Sequence, residues 1–207
     1  MNKKLFFLLF CIVLVTILPT FAQSMDTMII VFDYSENINT EGLSIDAITQ
    51  ASMAGDQLRE VGNLLVMRDV LEERLGIDAY SLHVEEVYAP DYFEMVGPAQ
   101  EDKRQNRQFT FKEELPDLDG IRTLYFGTPI WWYDVPQPVY QYFSEADLSG
   151  INIVFFSINR GSNNSRAVQV LRQLQPDSNL IGEISINAAT DNEQAKISFT
   201  AFLDSLK

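Results

Sequence analysis

Apolar and polar positions alternate along the chain in blocks that predict strands and helices in turn. Short apolar runs rich in β-branched residues, bounded by polar residues, are typical of strands buried on both faces of a sheet. In chain order the predicted strands cover residues 28–32, the alternating positions Tyr80, Leu82 and Val84, and residues 123–126, 151–156 and 179–186. The hydrophobic pattern therefore predicts five strands.

Apolar residues at helical spacing separate these strands. The first long helix is predicted over 61–75, with Gly76 as its C-terminal cap. Further helices are predicted at 138–143, 168–174 and 191–206, and the polar segment 91–108 predicts an exposed helix that Pro98 interrupts. A helical turn is predicted at 43–51, within a polar connection from 36 to 60 that is either a functional loop or partly ordered.

This order of elements predicts a doubly wound α/β domain, with a five-stranded parallel sheet, helices on both faces and right-handed crossovers. Such sheets bind ligands beyond the carboxyl ends of their strands, where the strand order reverses. The candidate segments are therefore those that follow strands one, three and four. They are Ser35 onward, 128–135 and 157–165.

The first 22 residues have the pattern of a secretory signal. Lys3 and Lys4 precede an apolar run from 5 to 18, and Ala22 closes a small-residue cleavage site. The run is shorter than the roughly 20 residues of a membrane span, although an uncleaved N-terminal anchor remains the alternative. We expect a signal peptide at 1–22, one domain at 23–207 with no membrane span, and export to the periplasm or the medium.

The chain is acidic, with 15 basic and 29 acidic side chains and a formal charge of −14. Cleavage after Ala22 would remove two lysines and no acids, so the formal charge becomes 13 − 29 = −16. This charge argues against nucleic acid as a partner. It predicts a solvated surface or, alternatively, steering toward a redox partner with a basic face. Cys11 is the one cysteine and lies in the predicted signal, so the domain would have no disulfide.

Three consecutive aromatic residues, Trp131, Trp132 and Tyr133, follow the third predicted strand. Large aromatic rings at the carboxyl end of a strand suit a planar ligand, which they cover while excluding water. They are equally suited to closing the end of the hydrophobic core. The residues alone leave both interpretations open.

The segment 125–143, followed by Asp147-Leu148-Ser149-Gly150 and the strand at 151–156, resembles flavodoxin-like proteins, especially exported members with a long first loop. The most specific block is Gly127-Thr128-Pro129-Ile130-Trp131-Trp132. The resemblance implies bound flavin mononucleotide (FMN). It places Trp131, or failing that Trp132, against the isoalloxazine ring, with backbone groups of Thr128, Pro129 and Ile130 near its polar edge.

The same resemblance implies two further contact regions. The sequence Asn159-Arg160-Gly161-Ser162-Asn163 is similar to the family's His-x-Gly-Ser-Gly stretch, which implies flavin contacts from Asn159, Gly161 and Ser162. For the phosphate, a split motif of Ser35 with Gly62-Asn63 is favoured, although Leu64 replaces a hydroxyl-bearing residue. A short motif at 35–40 is the other register, with Ile38 in place of glycine. Glu36 and Glu60 would add negative charge there.

These observations predict an FMN-binding protein that transfers electrons or reduces a small acceptor. The alternative is an exported flavodoxin-fold protein that has lost FMN and serves as a binding or accessory module. The sequence has no Gly-x-Gly-x-x-Gly after a strand, no Walker motif and no metal-ligand cluster. A hydrolase is disfavoured because His83 is the only histidine, and its parity in the second strand directs it away from the side that Leu82 and Val84 bury.

Overall fold

The computed structural model of the chain describes residues 26–38 and 62–206. Five parallel strands form one sheet in the order β2-β1-β3-β4-β5. The strands are β1 (Thr27–Val31), β2 (Tyr80–Ser81), β3 (Thr123–Pro129), β4 (Asn152–Asn159) and β5 (Asn179–Asn187). The helices in these residues are α1 (Asn63–Leu75), α2 (Tyr92–Gln105), α3 (Gln137–Glu145), α4 (Ser165–Leu174) and α5 (Asn192–Ser205), with a 3₁₀ turn at Ser35–Asn37. The predicted doubly wound fold is confirmed.

Alternate residues of the strands pack into two hydrophobic cores, one on each face of the sheet. Ile29 and Val31 of β1 pack in the core beneath α1 and α5, whereas Ile30 and Phe32 pack in the core beneath α2, α3 and α4. All four side chains are fully buried. Because both faces of β1 are covered, its sequence is a continuous apolar run rather than an alternating one.

Strand β2 is shorter than the alternating pattern predicted. Beyond it, the side chain of a buried asparagine makes hydrogen bonds to the backbone in place of strand pairing. Asn37 has no exposed surface, and its Nδ2 donates to the carbonyl oxygens of Asp33 and Leu82 at 2.8 and 3.1 Å. Its Oδ1 accepts the N–H of Val84 at 2.8 Å. Leu82 and Val84 are nevertheless buried, and His83 points to the other side, as predicted.

Strands β3 and β4 are longer than predicted, which corrects two of the expected loops. Thr128 and Pro129 were predicted to follow the third strand, but they continue β3 and pair with Ser157 and Ile158 of β4. Asn159, predicted in a loop, is the last residue of β4 and pairs with Asn187. Polar residues are tolerated at the end of β4 because Ser157 Oγ and Asn159 Nδ2 hydrogen-bond to Ser185 Oγ of β5, each at 2.7 Å.

Helix α2 runs through Pro98 without a break, contrary to the predicted interruption. Pro98 cannot donate to the carbonyl of Glu94, but Glu94 is exposed, where water can serve that oxygen. The helix is also less exposed than its composition suggested, since Met95, Ala99 and Asp102 form a buried stripe. Asp91 caps its first turn by accepting the N–H groups of Phe93 and Glu94.

Four sequence predictions lie wholly or partly outside the described residues. They are the signal peptide at 1–22, the helical turn at 43–51, the charge of Glu60 and residues 39–40 of the alternative phosphate motif. Within residues 26–38 and 62–206, no helix combines the length and apolar character needed to cross a membrane.

Candidate cofactor site

The end of β3 leads into a tight turn made of two aromatic residues. The N–H of Trp131 donates to the carbonyl of Asp134 at 2.8 Å, and the N–H of Asp134 donates back to Trp131 at 3.0 Å. Between them, Trp132 and Tyr133 have positive φ angles of 48° and 67°. This is the left-handed geometry of a primed turn, which normally selects glycine or asparagine. Each strained residue costs on the order of 1–3 kcal/mol.

A buried ion pair holds the far end of this turn. Asp134 is 2% exposed, and its carboxylate lies 2.9 Å from Nζ of Lys103 and 3.1 Å from Nε of Arg166. Lys103 also donates to the carbonyl of Val135 at 2.6 Å. Burial lowers the pKa of Lys103, and Asp134 opposes that shift. The Arg166 side chain is 67% exposed, so its contribution is weaker. The turn is thereby tied to α2.

Trp131 forms the base of the turn and is packed among other rings. Its ring meets those of Phe32, Tyr34 and Tyr88 edge to face, with centroids 6.3, 5.9 and 5.2 Å away. Trp132 meets Trp131 in the same way at 6.3 Å. Trp131 and Trp132 both pack against the core and are both partly buried. Tyr133 is 61% exposed.

The other predicted contacts of this segment, at the end of β3 and just after it, have buried side chains. Thr128 is fully buried and Ile130 is 8% exposed. Pro129 is buried as well, and the N–H of Ile130 donates to the carbonyl of Ile158 at 2.8 Å. These residues position the aromatic turn, and their side chains are not presented at the surface. Any ligand contact from this segment would have to come from its backbone, as the resemblance implied.

The segment after β4 is folded back on itself by buried amides. Oδ1 of Asn159 accepts the N–H of Gly161 at 2.6 Å, and its Nδ2 donates to Oγ of Ser185 at 2.7 Å. Asn159 is 4% exposed, so it shapes the loop from within. Gly161 has φ 98°, a conformation that other residues rarely adopt, and Ser162 beside it is half-buried. Of the three predicted contacts here, Gly161 and Ser162 lie nearest the surface.

The residues just after β1 are acidic and internally bonded. Ser35 donates its N–H to Asp33 at 2.8 Å, and its hydroxyl also donates to that carboxylate. Burial, above all, raises the pKa of Asp33 to about 6, and the Ser35 hydroxyl bond opposes the shift. Glu36 pairs with Arg68 at 2.8 Å, while its Oε2 is buried without a hydrogen-bond partner among the described residues. The predicted phosphate contact Ser35 thus faces a carboxylate.

Helix α1 begins within the Gly62-Asn63 part of the split phosphate motif. Its first residue is Asn63, and Gly62 is the N-cap, without a side-chain capping bond. The Asn63 amide donates to the carbonyl oxygens of Thr190 at 2.8 Å and Asn187 at 3.3 Å. These bonds fix the start of α1 against the segment that follows β5. The Asn63 side chain is therefore engaged in structure, whereas the amides at the helix start keep the orientation that suits an anion.

Sequence reasoning missed several residues of this edge. Lys103 and Tyr88 are distant in sequence and carry no local signal. Asp134 directly follows the three aromatic residues, and no role is predicted for it, although an aromatic pair followed by aspartate is compatible with a turn. His83 lies 3.3 Å from Glu113 and 3.9 Å from Glu36, at the β2 end of this edge. Among residues 26–38 and 62–206, no group of three potential metal ligands is present.

The strand order 2-1-3-4-5, with the aromatic turn beyond the β1/β3 reversal, defines a doubly wound α/β protein of the flavodoxin type. The family model described as Flavodoxin matches residues 99–200. The chain therefore has the flavodoxin-like fold, and the match over residues 99–200 supports a flavodoxin-like family.

Solved structures agree with the fold assignment. A candidate flavoprotein from Bacteroides eggerthii aligns with a TM-score of 0.57 at 15% identity, covering 86% of this chain and 98% of that one. A second, from Bacteroides uniformis, gives 0.57 at 17% identity, covering 84% and 97%. At these identities the similarity shows the shared fold. No curated protein matches the chain.

Proposed function

We propose that this protein binds FMN at the carboxyl edge of its sheet and acts in electron transfer or in the flavin-dependent reduction of a small acceptor. The observation that carries the proposal is the Trp132-Tyr133 turn, where two aromatic residues hold a strained conformation at the position where this fold binds ligands. Bound FMN would supply the one- or two-electron chemistry, and the protein would position and tune it.

The aromatic turn suits the flavin ring. Trp132 rests on Trp131, which is itself held by Phe32, Tyr34 and Tyr88, so the platform is rigid before any ligand arrives. A rigid aromatic surface lowers the entropy cost of stacking and keeps water from one ring face. Trp132 and Tyr133 take the stacking role in this proposal, and Trp131 supports them.

The predicted phosphate region suits FMN less well than the aromatic turn does. Gly62 allows close approach to the start of α1, where N–H groups favour an anion. Against this, the Ser35 hydroxyl is committed to Asp33, and Glu36 places a second carboxylate nearby. Arg68 is the adjacent cation, but Glu36 and Asp69 already pair with it. These acids are the observation that favours the alternative, a flavodoxin-fold accessory module without FMN.

The deciding experiment is to express the chain from residue 1, so that any processing occurs, and to titrate FMN while following flavin fluorescence and thermal stability. We expect saturable quenching and a raised melting temperature. Trp132→Ala should weaken binding at least about fivefold, because a stacked aromatic pair contributes about 1 kcal/mol beyond buried area. Ile197→Ala, an exposed apolar truncation on α5, is the matched control. A colourless protein that FMN neither stabilises nor binds would support the accessory module.

The proposal extends to location and partner. Lys3, Lys4 and the apolar run after them support export to the periplasm or the medium, and the acidic balance supports a redox partner with a basic face. Sequencing the N-terminus of the purified protein tests the first point, with Gln23 as the expected first residue. An unprocessed Met1 would leave the anchored alternative.

A further inference from the structure

A groove lies at the opposite edge of the sheet from the aromatic turn. It is bordered by the segment that leads into β3 and by the segment from α3 into β4, and it encloses about 570 Å³. This is within the size range of small-molecule sites. Since β3 is seven residues long, the groove and the aromatic turn are separated by roughly 20 Å. The groove is therefore distinct from the candidate cofactor site.

All the charged residues that line this groove are acidic. Carboxylates account for four of its thirteen lining residues, compared with 29 of 207 in the whole chain, and no lysine, arginine or histidine is among them. They are Asp117, Asp119, Glu145 and Asp147. All four are exposed, and the nearest basic side chain in sequence, Arg122, is paired with Asp26 at 2.9 Å. The groove therefore concentrates negative potential.

Most of the other residues that line the groove are apolar, and Tyr142 adds a polar group to them. Leu118, Ile121 and Ile151 contribute aliphatic surface. Tyr142 also lines the groove, yet it is only 1% exposed and its ring face is stacked on Phe126 at 5.5 Å. Its hydroxyl is buried without a hydrogen-bond partner among the described residues.

An unpaired hydroxyl in the wall of a site is a group that a ligand can satisfy, because a phenol both donates and accepts. Burial raises the pKa of Tyr142, so the hydroxyl keeps its proton. It can then accept an ammonium N–H without adding a further charge. The groove thus combines carboxylates at its rim, aliphatic surface between them and one neutral acceptor in its wall. These groups are complementary to a flexible chain of methylenes and ammonium groups.

We propose that the groove lined by Asp117, Asp119, Glu145, Asp147 and Tyr142 binds an aliphatic polyamine, whose ammonium groups meet the carboxylates while its methylene segments lie on Leu118, Ile121 and Ile151. The binding needs no flavin, so it does not depend on the function proposed for the opposite edge.

The test uses the full chain and spermidine as the probe, with binding followed by calorimetry and by backbone amide NMR at moderate salt. We expect saturable one-to-one binding and shifts confined to 115–121 and 142–151. The pair Asp119→Asn and Glu145→Gln should weaken spermidine at least tenfold. The charge-matched pair Glu73→Gln and Glu183→Gln, exposed acids outside the groove, should change affinity less than twofold.

Two further measurements separate a built site from a general counter-ion effect. Tyr142→Phe keeps the ring and removes only the hydroxyl, so we expect a several-fold loss of spermidine affinity with a melting temperature that is unchanged or higher. Mg²⁺ should compete weakly, since it has charge but no methylene chain. Equal weakening by both acid pairs, equal binding of Mg²⁺, or unchanged affinity in Tyr142→Phe would overturn the proposal.

Discussion

Tyr133 and Asp33 both occupy states that an isolated residue avoids. Tyr133 has a left-handed backbone with φ 67°, and Asp33 has a carboxyl group that is only 2% exposed. Each of these states lowers the stability of the fold. Both residues lie at the carboxyl edge of the sheet, where a ligand-binding role would explain why the cost is tolerated.

Replacing Tyr133 with glycine should raise stability and lower FMN affinity. Glycine adopts positive φ without strain, and the ring is 61% exposed, so little packing is lost. We expect the free energy of unfolding to rise by about 1 kcal/mol in urea denaturation. Phe93→Gly is the control, because Phe93 is 85% exposed but lies within α2, where glycine costs about 1 kcal/mol. A similar loss in both variants would contradict the assigned strain.

Asp33→Asn should change how stability depends on pH. The folded-state pKa is raised to about 6, so between pH ~4 and ~6 the folded protein binds a proton that the unfolded chain has released. The Asp33 contribution therefore makes stability fall as pH rises through this window. An amide at this position does not titrate, so the variant should gain up to about 3 kcal/mol at pH 7.

Urea unfolding from pH 4 to 8 measures this difference. The gain of Asp33→Asn over the native protein should vanish near pH 4. A constant difference across the range would show that Asp33 is not the titrating group. The charges of Glu36 and Arg68 also act on the pKa of Asp33. Glu36→Gln removes the first of these charges and therefore separates its effect from that of burial.

At the scale of elements, the ion pair between Lys103 and Asp134 joins α2 to the aromatic turn. Asp134→Asn would leave the half-buried Lys103 ammonium without its carboxylate. We expect a loss of about 3 kcal/mol in the free energy of unfolding, since breaking a buried pair strands a charge. Asp204→Asn removes a 2.7 Å pair with Arg74 between α5 and α1 that is largely exposed, and should cost less than about 1 kcal/mol. Equal losses would mean that the Asp134 pair is effectively solvated.

At the scale of the whole molecule, the net charge of −14 opposes an approaching flavin phosphate. Salt screens such repulsion, with a Debye length of about 30 Å at 0.01 M and about 8 Å at 0.15 M. The association rate of FMN in stopped flow should therefore rise several-fold between these ionic strengths. Riboflavin, which lacks the phosphate, is the control and should show little change. A rate that falls with salt would point to a basic entry path.

Local patterns were enough to place most elements. The capping glycine Gly76, the helix start at Asn63 and the apolar runs of the strands all depend on neighbours a few residues away, which a sequence displays directly. Strand ends depend on partners elsewhere in the chain. Hydrogen bonds from Asn37 end β2 early, and pairing with β4 continues β3 as far as Pro129. Neither effect has a local signal in the sequence.

The amino-acid sequence by itself determined the fold class, the edge where a ligand site should lie, and the aromatic block at that edge. Tertiary structure decided how the aromatic turn is supported, because Trp131 packs against Phe32, Tyr34 and Tyr88, which come from two other parts of the chain. It also decided that Ser35 faces Asp33 and that Lys103 anchors Asp134. Periodicity reports the side of an element that is buried, whereas side-chain partners depend on distances that exist only after the elements pack.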